Sequence, residues 1–149
     1  MQVVERMAEK GDLSFIYDTW LQSSRYDGNI GRSCRNSVFF EGQKLVIDRL
    51  LMKSKTVIAC ADKNRELIYG YAVGETETEE PLLHYVYVKE AYRRFGIASK
   101  LCKNLFSDKK HLYYTHKTRN AEPFFNKMGW DYNPFPLFKK GIISTLSIE

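Results

Sequence analysis

The chain has 149 residues, 44% apolar, 14% aromatic and 28% charged, which excludes a disordered protein and fits one domain, residues 1–149, with a real core. Its 23 Lys and Arg against 18 Asp and Glu give +5, an excess that admits an acidic partner such as a nucleotide or nucleic acid but demands neither. There is no transmembrane-length apolar run and no secretory h-region in MQVVERMAEKGD, and Cys34, Cys60 and Cys102 match neither a disulfide framework nor a zinc pattern, so a cytoplasmic protein without membrane or metal is expected.

Gln2–Val4 reads as an edge strand. Asp12 is a candidate helix cap, its carboxylate accepting from exposed N–H groups. Leu13, Ile16, Tyr17, Trp20 and Leu21 then follow the spacing of one buried helical stripe. Residues Arg25–Asn36 hold two glycines and no period, and read as a loop carrying Arg25, Tyr26, Arg32 and Arg35. A second helix is expected over about residues 37–54, weakened at Gly42. Thr56–Ala61 and Leu67–Glu75 are apolar, β-branched runs around the turn DKNR, a hairpin pattern. Leu82–Val88 is a third Tyr- and Val-rich strand. Gly96–Phe106 is helical, His111–Thr115 a strand, and Ala121–Lys127 a short helix closed at Gly129. One or two strands are expected from Tyr132 onward, including Gly141–Ser147. The order describes a mixed α/β domain of three layers.

The segment that carries chemistry is VYVKEAYRRFGIASKLCKNLF, residues 86–106. A strand ends at Val88, and Arg93, Arg94, Phe95, Gly96, Ile97 and Ala98 lead into a helix. The first turn of a helix carries N–H groups without intrahelical partners and a positive dipole end. Gly96 lets main chain approach an anion closely, Ala98 keeps the next turn small, and the two arginines add charge. Such a turn suits a pyrophosphate.

This stretch resembles the acetyl-CoA-binding motif of the Gcn5-related N-acetyltransferases (GNAT), Gln/Arg-x-x-Gly-x-Gly/Ala, with Arg93, Gly96 and Ala98 at the three signature positions. Residues Asn120–Trp130 resemble the family's C-terminal Asn…Tyr…Gly-Phe segment. The resemblance implies a three-layer α/β/α acetyltransferase fold, with a mixed, mostly antiparallel sheet splayed between strands 4 and 5 and a β-bulge near the end of strand 4. It also implies an acetyl-CoA-dependent N-acetyltransferase that moves acetyl to a primary amine by direct attack in a ternary complex. Main chain at Val86 and Val88 would pair with the pantetheine arm, the amides of Arg94–Ala98 would hold the pyrophosphate, and Asn120 would reach the cofactor from the far side. The acceptor would be a small-molecule or protein amine, and the apolar C-terminal strand could serve a homodimer of the kind common in that family.

Two departures stand out. Phe125 occupies the place of the family's proton-donating Tyr, with Tyr114 and Tyr132 as the nearest substitutes, and Pro123 lies in the first turn of the predicted helix, where a missing N–H costs little. In addition, Leu82 occupies the place of the family's strand-4 Glu. His84, two residues on and on the same face by strand alternation, is the preferred general base, since imidazole titrates near neutrality. His116 is a weaker candidate, and Glu75, Glu77, Glu79 and Glu80 could act through water. Alternatives are a CoA-binding protein without catalysis, motivated by Phe125 and Leu82, and a nucleic-acid-directed member, motivated by the charge and the arginine-rich loop.

Overall fold

A computed structural model describes residues 2–107 and 109–138; the strand expected over Gly141–Ser147 lies outside them. Ten main elements follow in order: β1 (Val3–Met7), α1 (Leu13–Asp27), α2 (Asn36–Lys53), β2 (Lys55–Ala61), β3 (Ile68–Glu75), β4 (Leu82–Val88), α3 (Ile97–Phe106), β5 (Tyr113–Tyr114), α4 (Glu122–Met128) and β6 (Asp131–Tyr132). The strands form one sheet in chain order, antiparallel from β1 to β4 and parallel from β4 through β5 to β6. Parallel neighbours need a crossover, and α3 and α4 supply the two.

Strand alternation sorts the apolar residues into two cores, one on each face of the sheet. On one face Ile16 and Trp20 of α1 and Ile47 and Leu50 of α2 bury Ile58, Tyr71, Val73 and Tyr85. On the other, Leu101 and Phe106 of α3 and Phe125 of α4 bury Val57, Ala72, Leu83 and Tyr114. The result is the three-layer α/β/α architecture. Cys102 faces this second core, and burial pushes its thiol up to about 12, which leaves it inert.

Several sequence expectations are corrected. Asp12 does not cap α1. Its carboxylate accepts two bonds from the Arg6 guanidinium, at 2.7 and 2.9 Å, and one from the Glu9 N–H at 2.7 Å. The loop expected over Arg25–Asn36 is shorter, because α1 runs on to Asp27 and α2 starts at Asn36. Arg25 is committed to closing it: its guanidinium donates to the Gly31 carbonyl and to Asn36 Oδ1. The strand expected over His111–Thr115 contracts to two paired residues.

Two measurements follow. A Cβ at Gly42, within α2, meets nothing within 4 Å, so Gly42→Ala raises stability by about 0.5–1 kcal/mol, seen as a rise in thermal midpoint of roughly 1–4 °C. Asp12→Asn removes the bidentate partner of the largely buried Arg6 guanidinium, leaving it Glu9 Oε1 at 3.8 Å, and costs about 3 kcal/mol at pH 7. The hydrogen bonds from Arg6 hold the Asp12 carboxyl below its ordinary range. A depressed acid stabilises the fold above its unfolded value, near 3.9, and loses that contribution as pH falls through the folded one. The gap between wild type and variant in urea unfolding therefore narrows below about pH 4.

Candidate active site

The site begins with an incomplete pairing. β4 meets β5 only at Leu82 and Leu83, opposite Tyr113 and Tyr114. Past that point β4 continues to Val88 with a partner on its β3 side alone. Lys89 N–H donates to Tyr69 O at 2.8 Å, so Tyr87 and Lys89 turn their main-chain groups toward β3. Val86 and Val88, between and before them, turn theirs toward the gap. The Val88 carbonyl accepts from Arg93 Nε at 2.8 Å along that free edge.

The pairing fails beside a bulge. Val73 faces Tyr85 and Gly74 faces Leu83, so His84 has no opposite number on β3. An extra residue bends a strand and increases its twist. The bulge lies in the first half of β4, not near its end as the resemblance suggests. It also resets alternation: Leu83 packs on the α3 face and Tyr85, two residues on, packs on the α1 face.

After β4 the chain makes a short turn into α3. Arg94 and Gly96 both have left-handed backbone, with φ of 72° and 76°. Ile97 is buried and anchors the helix, while Arg94, Phe95 and Gly96 face solvent. Gly96 is the N-cap and no side chain caps the helix. Its missing Cβ faces open space. First-turn amides are thus left accessible beside Arg93, whose guanidinium lies 5.9 Å from the Tyr87 ring centroid. A turn of this geometry can receive an anion on its free amides.

Across the gap, Asp27 at the end of α1 organises the turn before α4. Its carboxylate accepts from Arg119 Nε at 3.0 Å and from Asn120 N–H at 2.8 Å, and Gly28 bridges Thr118. Asn120 is exposed at that turn. Phe125 is buried and stacks on Tyr114, ring centroids 3.8 Å apart, and Tyr132 lies 5.6 Å from Tyr114. Val86, Val88 and Tyr132 pack against the same core. Burial raises the Tyr114 hydroxyl above its ordinary range.

His84 is fully buried. Its Nε2 lies 2.7 Å from Glu75 Oε2 and its Nδ1 2.8 Å from Thr115 Oγ1. Thr115 Oγ1 is also 3.0 Å from His116 Nδ1, and His116 Nε2 is 3.0 Å from Gln43 Nε2. The bonds from His84 hold the Glu75 carboxyl below its usual range despite burial, with Lys53 Nζ 3.6 Å away adding to the effect. Burial, reinforced by the neighbouring His84, lowers His116 to about 3. Trp20 stacks on Tyr85 at 4.7 Å, and both present ring faces or edges to His116.

His116, Thr115, Gln43 and Tyr132 line a cleft of about 350 Å³ between the α1–α2 connection and the end of β5. His84 stands behind Thr115 and does not line it. Sequence reasoning named His84, His116 and Glu75 separately. It missed Thr115 and Gln43, for which the only local signal is a Thr beside a His at a strand end.

The sequence matches the family model described as acetyltransferase (GNAT) domain over residues 53–132. No curated protein matches at a significant level. Among solved structures, the fold is similar to that of a protein of Desulfovibrio desulfuricans assigned to the GNAT family, at TM-score 0.55 and 18% identity, covering 86% of this chain and 84% of that one. A possible acetyltransferase of Clostridium difficile 630 is similar at TM-score 0.55 and 19% identity, covering 89% and 92%. The glucosamine N-acetyltransferase region of a fungal multi-domain β-N-acetylglucosaminidase is similar at TM-score 0.57 and 15% identity, over 87% of this chain and 17% of that one. The splayed sheet, the left-handed turn into α3 and the matched residues together make this chain a member of the GNAT acetyltransferase family.

Proposed function

We propose that the protein is an acetyl-CoA-dependent N-acetyltransferase acting on a primary amine, in a ternary complex and without a covalent enzyme intermediate, with residues 1–149 as one catalytic domain. The observation that carries the reading is the free edge of β4 running directly into the left-handed turn at the start of α3. The residues present fit the cofactor. Val86 offers its main-chain N–H and carbonyl to an extended amide-bearing arm, and Val88 its N–H, the Val88 carbonyl being held by Arg93 Nε. Residues Arg94–Ala98 offer accessible amides to a pyrophosphate, and a side chain at Gly96 would intrude on that space. Asn120, on the opposite rim, has its N–H held by Asp27.

When bound, acetyl-CoA supplies an acyl group activated as a thioester. The chain's own tasks are to align the acceptor amine, exclude water and take the proton that the amine must lose. The cleft beside His116 is the acceptor site in this reading. Its described lining includes Arg49 and Lys117 and no Asp or Glu, so a polycationic acceptor is disfavoured and an apolar amine, neutral or acid-bearing, is favoured. Tyr114 and Tyr132 are the hydroxyls available near the gap to protonate a leaving thiolate. Phe125 has no proton to give. A thiol with an ordinary value near 8.5 also leaves without help.

Calorimetric titration tests the cofactor assignment. Wild type binds acetyl-CoA in the micromolar range, and Gly96→Glu weakens binding at least tenfold while circular dichroism is unchanged. Absence of binding by the wild type removes the assignment. In transfer assays phenethylamine and phenylalanine outrun spermidine, and the reverse order refutes the charge argument.

A further inference from the structure

We propose that His84 is the proton store of this site and that it serves the acceptor cleft through a side-chain relay formed by His116 and Thr115, with Glu75 holding His84 in register. The inference rests on the transferase reading above and assigns the buried polar chain within it. Four consecutive contacts of 2.7–3.0 Å link Gln43, His116, Thr115, His84 and Glu75. The two ends differ. Gln43 and His116 line the cleft, whereas Glu75 lies at the end of β3 beside Lys53, whose side chain reaches solvent.

Donor and acceptor chemistry gives the chain one direction. The Gln43 amide nitrogen only donates, so His116 Nε2 accepts and carries a lone pair toward the cleft. The proton of His116 therefore sits on Nδ1, which donates to Thr115 Oγ1. The Thr115 hydroxyl then has its own proton free to donate to His84 Nδ1. His84 Nε2–H donates to the Glu75 carboxylate. Every buried donor has an acceptor in this arrangement, and reversing any member leaves two donors or two acceptors face to face.

The polarity suits export of a proton from the cleft. An acceptor amine takes the place of the Gln43 amide at His116 Nε2. Its proton binds there, the Nδ1 proton passes to Thr115 Oγ1, and the Thr115 proton passes to His84 Nδ1. One proton enters and one imidazolium results, at His84, with both of its N–H groups bonded and Glu75 as counter-ion. His116 returns to neutrality with the opposite tautomer. It is suited to pass the proton on and not to keep it, because burial, the main cause, lowers it to about 3. The groups facing the relay are Trp20 of α1, Gln43 and Lys53 of α2, Glu75 of β3 and Tyr85 of β4. Glu75 is the one carboxylate among them. Glu75, Thr115 and Gln43 act through the histidines and are positioning residues.

Histidine side-chain nitrogen NMR reads the relay directly, since the chain has three histidines and half-buried His111, bonded to Asp131 away from the relay, is the one other signal. In the wild type at pH 7, His116 is neutral with its proton on Nδ1, and His84 carries a proton on Nε2. A resting His116 with its proton on Nε2 overturns the relay, whether or not acetyl-CoA binds. In transfer assays with phenethylamine, tyramine and phenylalanine as probe amines, Thr115→Val lowers kcat about 100-fold, with little change in KM and a displaced acid limb of the pH profile. Thr115→Ser, which restores the hydroxyl, recovers most of the rate. A Thr115→Val enzyme with wild-type rate and pH profile overturns the proposal. So does a wild type that binds acetyl-CoA and acetylates none of the probes. A wild type that fails to bind acetyl-CoA instead refutes the function proposed above, and the resting tautomers still decide the relay.

Discussion

The molecule is organised by the failure of β4 to pair with β5 beyond Leu83. A sheet normally satisfies its main-chain groups by pairing, and a buried unpaired amide or carbonyl costs free energy. Here one extra residue, His84, bends β4 away after two paired positions. The free edge at Val86 and Val88, the gap beneath α3 and the access of β5 to the α1–α2 connection all follow from that bend. The local cost is limited because Arg93 supplies a donor to the Val88 carbonyl.

The same bulge places a histidine where a regular strand would have put an apolar side chain into one of the two cores. Burying a polar ring is tolerable only when both nitrogens are bonded. Glu75 and Thr115 meet that requirement, and Lys53 stabilises the carboxylate that results. A buried polar network of this kind resists removal of any member, since the partner left behind loses its bond in a medium of low dielectric constant. The structure therefore couples the shape of the gap to the buried polar chain beside it: His84 is both the extra residue of the bulge and the centre of that chain.

Much of this was legible locally. The apolar stripe of α1 ending in Trp20, the hairpin of β2 and β3, the amphipathic α3 and the stop of α4 at Gly129 depend on residues close in sequence, and their periods and turn residues expose them. The Arg93–Ala98 turn was legible for the same reason, since a strand end, a glycine and a helix start within ten residues specify the geometry. The reading failed where a distant partner competed with a local rule. Asp12 has the position of a helix cap, but its carboxylate is taken by the Arg6 guanidinium in a bidentate pair and by the N–H of the preceding Glu9, which leaves none for the first turn of α1. Likewise, alternation put His84 and Leu82 on one face only for a strand without a bulge, and a bulge depends on the neighbour's register.

The amino-acid sequence by itself determined the layer architecture, the family and the glycine-bearing turn into α3, because hydrophobic period and short-range backbone chemistry act within a few residues. Only the tertiary structure decided that Glu75, His84, Thr115, His116 and Gln43 form one chain. Those residues come from β3, β4, the end of β5 and α2, and their spacing in sequence carries no trace of the contact. Hydrogen bonds of that kind are set by which faces and ends of the elements meet, and that is fixed by packing of the two cores against a bent sheet.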